Sequence, residues 1–404
     1  MPLQTSPSSQ PAASAARLLR RVGFFVLAAA PLLSMATRRG FVIAVPFGAV
    51  LLILATLIES ENKEPWQGFG RMVLSLCGMA GLFVLLWAGL SLVWTPFKSE
   101  AVARLANLTG LVLMVMATVA SLPAHSRANN LHLLVIGFGA AVLLANGLLL
   151  LPLREPDAVV DQMISERLPL FAAVLVFPCL GWLLSRRRMI GAVTLLASSS
   201  SFLILQEAYT ALFSLTLGLL IYGLTLWRAI WGRWLSAAMT IGLLVLAPAL
   251  PFLLRPLTKW AFGATDLNVD ALRAWGRLVQ REPLRLITGH GFDVTTRAKA
   301  AGLIEPMAPR GLLFELWYDL GLLGVVGVAM VLMMVIRSSS RSAPVLAPGI
   351  LATLMASFSL TVLGQVALQS WWVTLIGLVV VMWFAIEQGQ YRTTRPRSIS
   401  TMFR

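Results

Sequence analysis

Apolar runs long enough to cross a bilayer, separated by short clusters of arginine, recur from Val22 to Ile386 and leave this chain one environment in which to fold. A helix rises 1.5 Å per residue, so about 20 apolar residues span a hydrocarbon core roughly 30 Å thick. Read this way, the sequence predicts membrane helices near 22–37, 40–58, 72–94, 103–121, 131–152, 168–185, 189–206, 208–227, 234–254, 318–336, 343–363 and 367–386. The pair 189–206 and 208–227 run together around "LQEAYT" with almost no loop between them. With 58% hydrophobic and 12% charged residues, the chain carries far more apolar surface than a soluble domain could hide. The expected fold class is an all-α polytopic membrane protein of about 12 transmembrane helices. Residues 1–16 and 387–404 read as disordered tails and 17–386 as a single membrane domain.

No charged start with a short apolar core and a small-residue cleavage site is present, because Val22–Ala36 runs into Arg38, Arg39 and a further apolar stretch. The first apolar segment is therefore expected to stay as a membrane helix. Cys77 and Cys179 lie inside apolar runs, where cysteine serves as a small hydrophobe; neither a disulfide framework nor a thiolate metal site is indicated, and no cofactor is expected. The net charge of +15 raises the question of nucleic acid, but the basic residues come in twos and threes at the ends of apolar runs, as orientation signals do.

Those signals set the expected topology. With the N-terminus cytoplasmic, the inner segments hold seventeen Lys and Arg, and the short outer loops hold six: Arg38, Arg39, Lys98, Arg104, Arg154 and Arg167. Both termini are then cytoplasmic and the long 255–317 segment is periplasmic, in a bacterial inner membrane. That segment carries nine more basic residues against the orientation rule, and long loops cross regardless of charge.

From Asn268 to Glu282 the pattern is helical. Arg273, Arg277 and Arg281 share one face, Leu272, Trp275, Leu278 and Val279 form an apolar flank, and Pro283 ends the helix. Like charges four residues apart repel, so such a stripe persists cheaply where anions neutralise it. One reading lays this helix on anionic lipid headgroups. The other makes it a site for a phosphorylated, membrane-borne ligand, since the guanidinium fork binds phosphate oxygens two at a time. After Pro283, Gly289 and Gly291 bracket His290, the one histidine expected outside; imidazole is suited to moving protons near neutral pH, and a loop histidine without chemistry is the plain alternative.

The order Arg273, Trp275, Pro283, then "GHGF" at Gly289–Phe292, then "ELWYDLGLLG" at Glu315–Gly324, resembles the C-terminal signature of the O-antigen ligase and O-antigen polymerase family. "LSLVWTPFKSEAVARL" at Leu90–Leu105 is similar to that family's early outer loop, and the resemblance covers roughly 90–325. It implies about a dozen helices, one large periplasmic loop late in the chain, and transfer of a glycan from an undecaprenyl-diphosphate carrier to an acceptor hydroxyl, on lipid A core or another glycan, without metal or nucleotide sugar. Arg273 matches the family's loop arginine. Where many members read H-P-H-N this chain has "APRG" at Ala308–Gly311, which puts Arg310 at the usual histidine and adds it to the diphosphate-binding candidates. A second motif, Ser-Arg-Gly, falls near "QEA", where its arginine is replaced by Glu207. His290 and Glu207 are then the two candidate bases, and a chain that binds a lipid-linked glycan without transferring it is the alternative. A transporter of the same lipids would place ionisable groups near the bilayer midplane, whereas here the polar residues collect in one outer segment.

Overall fold

A computed structural model describes residues 9–37, 39–59, 64–122, 131–150, 166–262, 267–364, 366 and 369–390. Among them every regular element is helical. In chain order these are α1 (Ser9–Ala36), α2 (Gly40–Glu59), α3 (Glu64–Val73), α4 (Leu76–Ser91), α5 (Lys98–Ala120), α6 (Leu131–Leu150), α7 (Leu168–Ser185), α8 (Met189–Leu205), α9 (Tyr209–Trp227), α10 (Ala229–Leu246), α11 (Leu250–Phe262), α12 (Leu267–Arg281), α13 (Arg285–Thr288), α14 (Val294–Ala300), α15 (Leu312–Ser338), α16 (Ala347–Val362) and α17 (Ser370–Gln390). Nine stretches among the described residues are long and apolar enough to cross a membrane, or ten with the bent pair α3 and α4, so the chain is a multi-pass membrane protein. Two more of the expected spans are the shorter apolar helices α8 and α16.

Three boundaries differ from the expected ones for local reasons. The run 72–94 is broken by a bend of 70°, at which the Ser75 hydroxyl accepts the Gly78 N–H at 3.1 Å and starts a new helix. At the other end of the sequence reading, α1 begins at Ser9, inside the segment read as a tail, while 1–8 and 391–404 lie outside the described residues. The "LQEAYT" junction is a true corner: Glu207 takes a left-handed φ of 51° between α8 and α9.

The centre of the bundle is α7, whose residues 168–183 are all buried. It is ringed by α1, α6, α8, α9, α16 and α17. Close packing there uses small residues opposite a large one: a Cβ on Gly181 or Gly349 would lie 2.7 and 2.4 Å from the Trp383 ring, so one indole of α17 fills the space between α7 and α16. A second apolar cluster joins α4, α10 and α15 to the segment after α12. The outer flanks are as apolar as the interior, with Phe25, Ile43, Leu143 and Leu220 more than half exposed, as side chains facing lipid tails are. Exposed tryptophans mark the ends, Trp66, Trp227 and Trp234 at one and Trp260 on α11 near the long segment, in the manner of an interfacial belt.

Candidate functional site

The long segment is docked on a break in α15. Gly321 has φ 61° and ψ −161°, which no helix tolerates, and a straight helix would have tied the carbonyls of Tyr318, Asp319 and Leu320 to the turn that follows. Each finds another donor. The His290 N–H donates to the Tyr318 carbonyl at 2.8 Å, the Gly291 N–H to that of Asp319 at 3.0 Å, and the Trp87 indole to that of Leu320 at 2.8 Å. Leaving such groups unmet within an apolar bundle costs several kcal/mol each, so the break and the Gly-His-Gly turn require one another. Gly289 has φ 74°, and a Cβ there would lie 2.2 Å from the Asp319 carbonyl oxygen. Gly291 has φ 112°, and a Cβ there would lie 2.7 Å from Thr95, so both glycines around His290 are explained by packing before any chemistry is invoked.

On this backbone His290 is held on three sides. Its ring stacks on Tyr318 at 3.9 Å with 7° between planes, Nδ1 lies 3.0 Å from the Tyr318 carbonyl, and Nε2 lies 3.0 Å from Oε2 of Glu282. The carbonyl can only accept, so Nδ1 carries a hydrogen. A hydrogen then also lies between Nε2 and the Glu282 carboxylate, because two lone pairs would repel. To take a proton from a hydroxyl, Nε2 must be bare, so the shared hydrogen must leave with Glu282, whose side chain is 55% exposed and has room to turn away. Around the pair, Trp275, Leu278, Arg285 and Phe314 enclose a cavity of about 20 Å³, room for roughly one water. A sugar ring would therefore lie across its mouth rather than inside it.

Beneath this loop sits a buried charge cluster. Asp293 is 2% exposed, takes a left-handed φ of 64°, and accepts from Arg104 of α5 and, at 3.1 Å, from Nε of Arg297. Asp319 accepts from both the N–H and the hydroxyl of Thr295, at 2.8 and 2.6 Å, capping the first turn of α14. The Lys299 amine donates to the carbonyls of Ala308 and Pro309 at 2.9 and 2.7 Å, and burial pulls it below the usual lysine range. Ser91 belongs to the arrangement too: its hydroxyl accepts the Phe292 N–H at 3.0 Å, so the two stretches that carry the family resemblance, 90–105 and 289–324, touch.

The expected site residues are only partly brought together. α12 does run to Arg281 and stops before Pro283, and it turns Trp275, Leu278, Val279 and Glu282 toward His290. Arg273, Arg277 and Arg281 lie roughly half a turn away, on the face opposite that cavity. Two of the anions that steady the stripe are internal: Asp270 binds Arg273 at 2.8 Å and Glu305 binds Arg277 at 2.5 Å. Arg310 is exposed and lies close enough to Lys299 to oppose its charge. Glu207 lines a different cavity of about 280 Å³ with Glu166, Pro169 and Tyr209, sharing no residue with that of His290. Reasoning from the sequence passed over Glu282, Arg285, Tyr318 and Asp293; Glu282 and Arg285 flank the helix-ending Pro283, and Tyr318 stands in the "ELWYDLG" stretch, so position beside a recognised motif was the available signal.

No family model, curated protein or solved structure matches the chain.

Proposed function

We propose that this protein transfers a glycan from an undecaprenyl-diphosphate-linked donor to an acceptor hydroxyl at the periplasmic face of a bacterial inner membrane, with both termini in the cytoplasm. The observation that supports it is the His290–Glu282 pair at the break in α15, set against a helix whose outer face carries Arg273, Arg277 and Arg281. The acceptor oxygen attacks the anomeric carbon, the bond from that carbon to the diphosphate breaks, and the hydroxyl proton passes to Nε2 of His290 once Glu282 has turned away with the shared hydrogen as a neutral carboxylic acid. Arginine forks bind the departing diphosphate oxygens and stabilise the charge that grows on them. Arg285, on the rim of the cavity, is the arginine beside this proton path and takes the departing diphosphate, whereas Arg273, Arg277 and Arg281, on the opposite face of α12, and Arg310 serve as anion sites for the carrier away from the reacting carbon. Neither metal nor nucleotide sugar has a part in this scheme.

The test is deletion of the gene followed by gel analysis of lipopolysaccharide and capsule, with complementation. A ligase loses the whole O-antigen ladder, a polymerase leaves a single repeat attached, and His290→Ala should lower transfer by about 10²–10⁴ with normal expression. Full transfer by His290→Ala would remove His290 from the reaction. A second reading, a partner that binds the lipid-linked glycan without transferring it, is favoured by the internal neutralisation of Arg273 and Arg277. It takes over if the purified wild-type chain binds a polyprenyl-linked saccharide and transfers none.

A further inference from the structure

At the end of the bundle opposite His290, the structure holds a cationic, half-apolar cavity that the proposed transfer does not use. The position follows from packing. Gly311 and Gly364 meet at the His290 end, where α15 starts and α16 finishes, while Trp383 bridges Gly349 at the start of α16 and Gly181 near the finish of α7. The end of α7 is therefore remote from the long segment. There, between the first turns of α6 and the last turn of α7, a cavity of about 600 Å³ is lined by His132, Val135, Ile136, Trp182, Leu183, Arg186 and Arg188.

Four features make this more than a cluster of orientation charges. No carboxylate stands in the lining, and among the described residues none pairs with Arg186 or Arg188. The Arg188 guanidinium lies 5.7 Å from the centre of the Trp182 ring, which seats it over an apolar wall. Trp182 is 7% exposed, so its ring is a fixed wall of the cavity. Finally, α8 starts at Met189 with no side chain capping it, so the open N–H groups of its first turn add a positive dipole end. The opposite side of the cavity, Val135, Ile136 and Leu183, is purely apolar and continues into the lipid-facing flank of α6, where Ile136 is 60% exposed.

We infer that this cavity binds the phosphate of an anionic phospholipid, with its oxygens on Arg186 and Arg188 and its acyl chains along Val135 and Ile136. The shared chemistry with free phosphate is the anion; the apolar wall is what a lipid would use and a free ion would not. Basic pockets between membrane helices take acidic headgroups in this way.

The purified full-length chain in neutral detergent, analysed by native mass spectrometry, tests it with three probes: phosphatidylglycerol, phosphatidylcholine and inorganic phosphate. Phosphatidylglycerol should stay bound where phosphatidylcholine does not, and Arg186→Gln with Arg188→Gln should weaken it about tenfold or more, as loss of charge-assisted hydrogen bonds does. Both arginines are exposed, so lipid-free melting of the double variant should match wild type. Equal retention of the two lipids, or phosphatidylglycerol binding indifferent to the arginines, overturns the proposal. Displacement of phosphatidylglycerol by millimolar inorganic phosphate overturns the lipid and assigns the cavity to a free anion. Glycan transfer enters none of these readouts, so the outcome is separate from that of the proposed function.

Discussion

Gly289 is the residue on which the loop end turns, because it combines a backbone conformation closed to other residues with the Asp319 carbonyl pressed against the place of its missing Cβ. Gly289→Ala should destabilise the protein by about 1–3 kcal/mol from the backbone alone. Thermal melting in detergent reads this directly, and an unchanged midpoint would mean that the turn relaxes off α15. Next to it, His290 and Glu282 make separable predictions. If Glu282 only occupies Nε2 at rest, Glu282→Gln leaves glycan transfer intact while His290→Ala removes it; if the carboxylate is itself the proton acceptor, Glu282→Gln removes it too. Measured side by side in the complemented deletion strain, the two variants distinguish a histidine base from a glutamate base.

Among the elements, α14 is the one that ties the start of α5 to the long segment, through Asp293 between Arg104 and Arg297. A buried carboxylate held by two guanidiniums is strongly destabilising to remove, since the cations are left without it. Asp293→Ala is expected to cost about 3–5 kcal/mol, with Arg104→Ala non-additive with it in a double-mutant cycle; full additivity would show that the two do not act as a pair. None of this was legible in the sequence, where Asp293 and Arg104 stand 189 positions apart. What was legible is what period and punctuation dictate: α12 follows from apolar residues at helical spacing and ends at a proline that cannot continue it. The break at Gly321 was hidden for a physical reason. An apolar run reads the same whether the helix through it is straight or broken, and only the partners of the freed carbonyls, supplied by Trp87 and the Gly-His-Gly turn, tell the two apart. The arginine stripe was visible as a stripe, but its internal counter-ions were not, because Glu305 reaches Arg277 from beyond two further helices.

For the whole molecule, alternation of the apolar helices and the excess of arginine at one end predict which face the long segment occupies. A cysteine at Leu284, which is 80% exposed, in a chain with Cys77 and Cys179 replaced, should react with an impermeant thiol reagent in intact spheroplasts. Thr295 would be a poor choice, being 1% exposed. Protection of Leu284→Cys until the membrane is opened would invert the topology. The enclosure of α7 also has a consequence in time. This helix ends at Ser185 and α16, part of its wall, begins at Ala347, so 161 residues must be made between them. At ribosomal rates of ~5–20 residues per second, α7 waits roughly 8–30 s beside lipid before even the first of its last two neighbours, α16 and then α17, begins to emerge. It can afford to wait because its side chains are apolar all round, as content in acyl chains as in protein. Nascent chains halted before α16 should therefore be inserted, yet remain substrates for membrane proteases, and protection should set in only when Trp383 has been synthesised and closes the gap between Gly181 and Gly349.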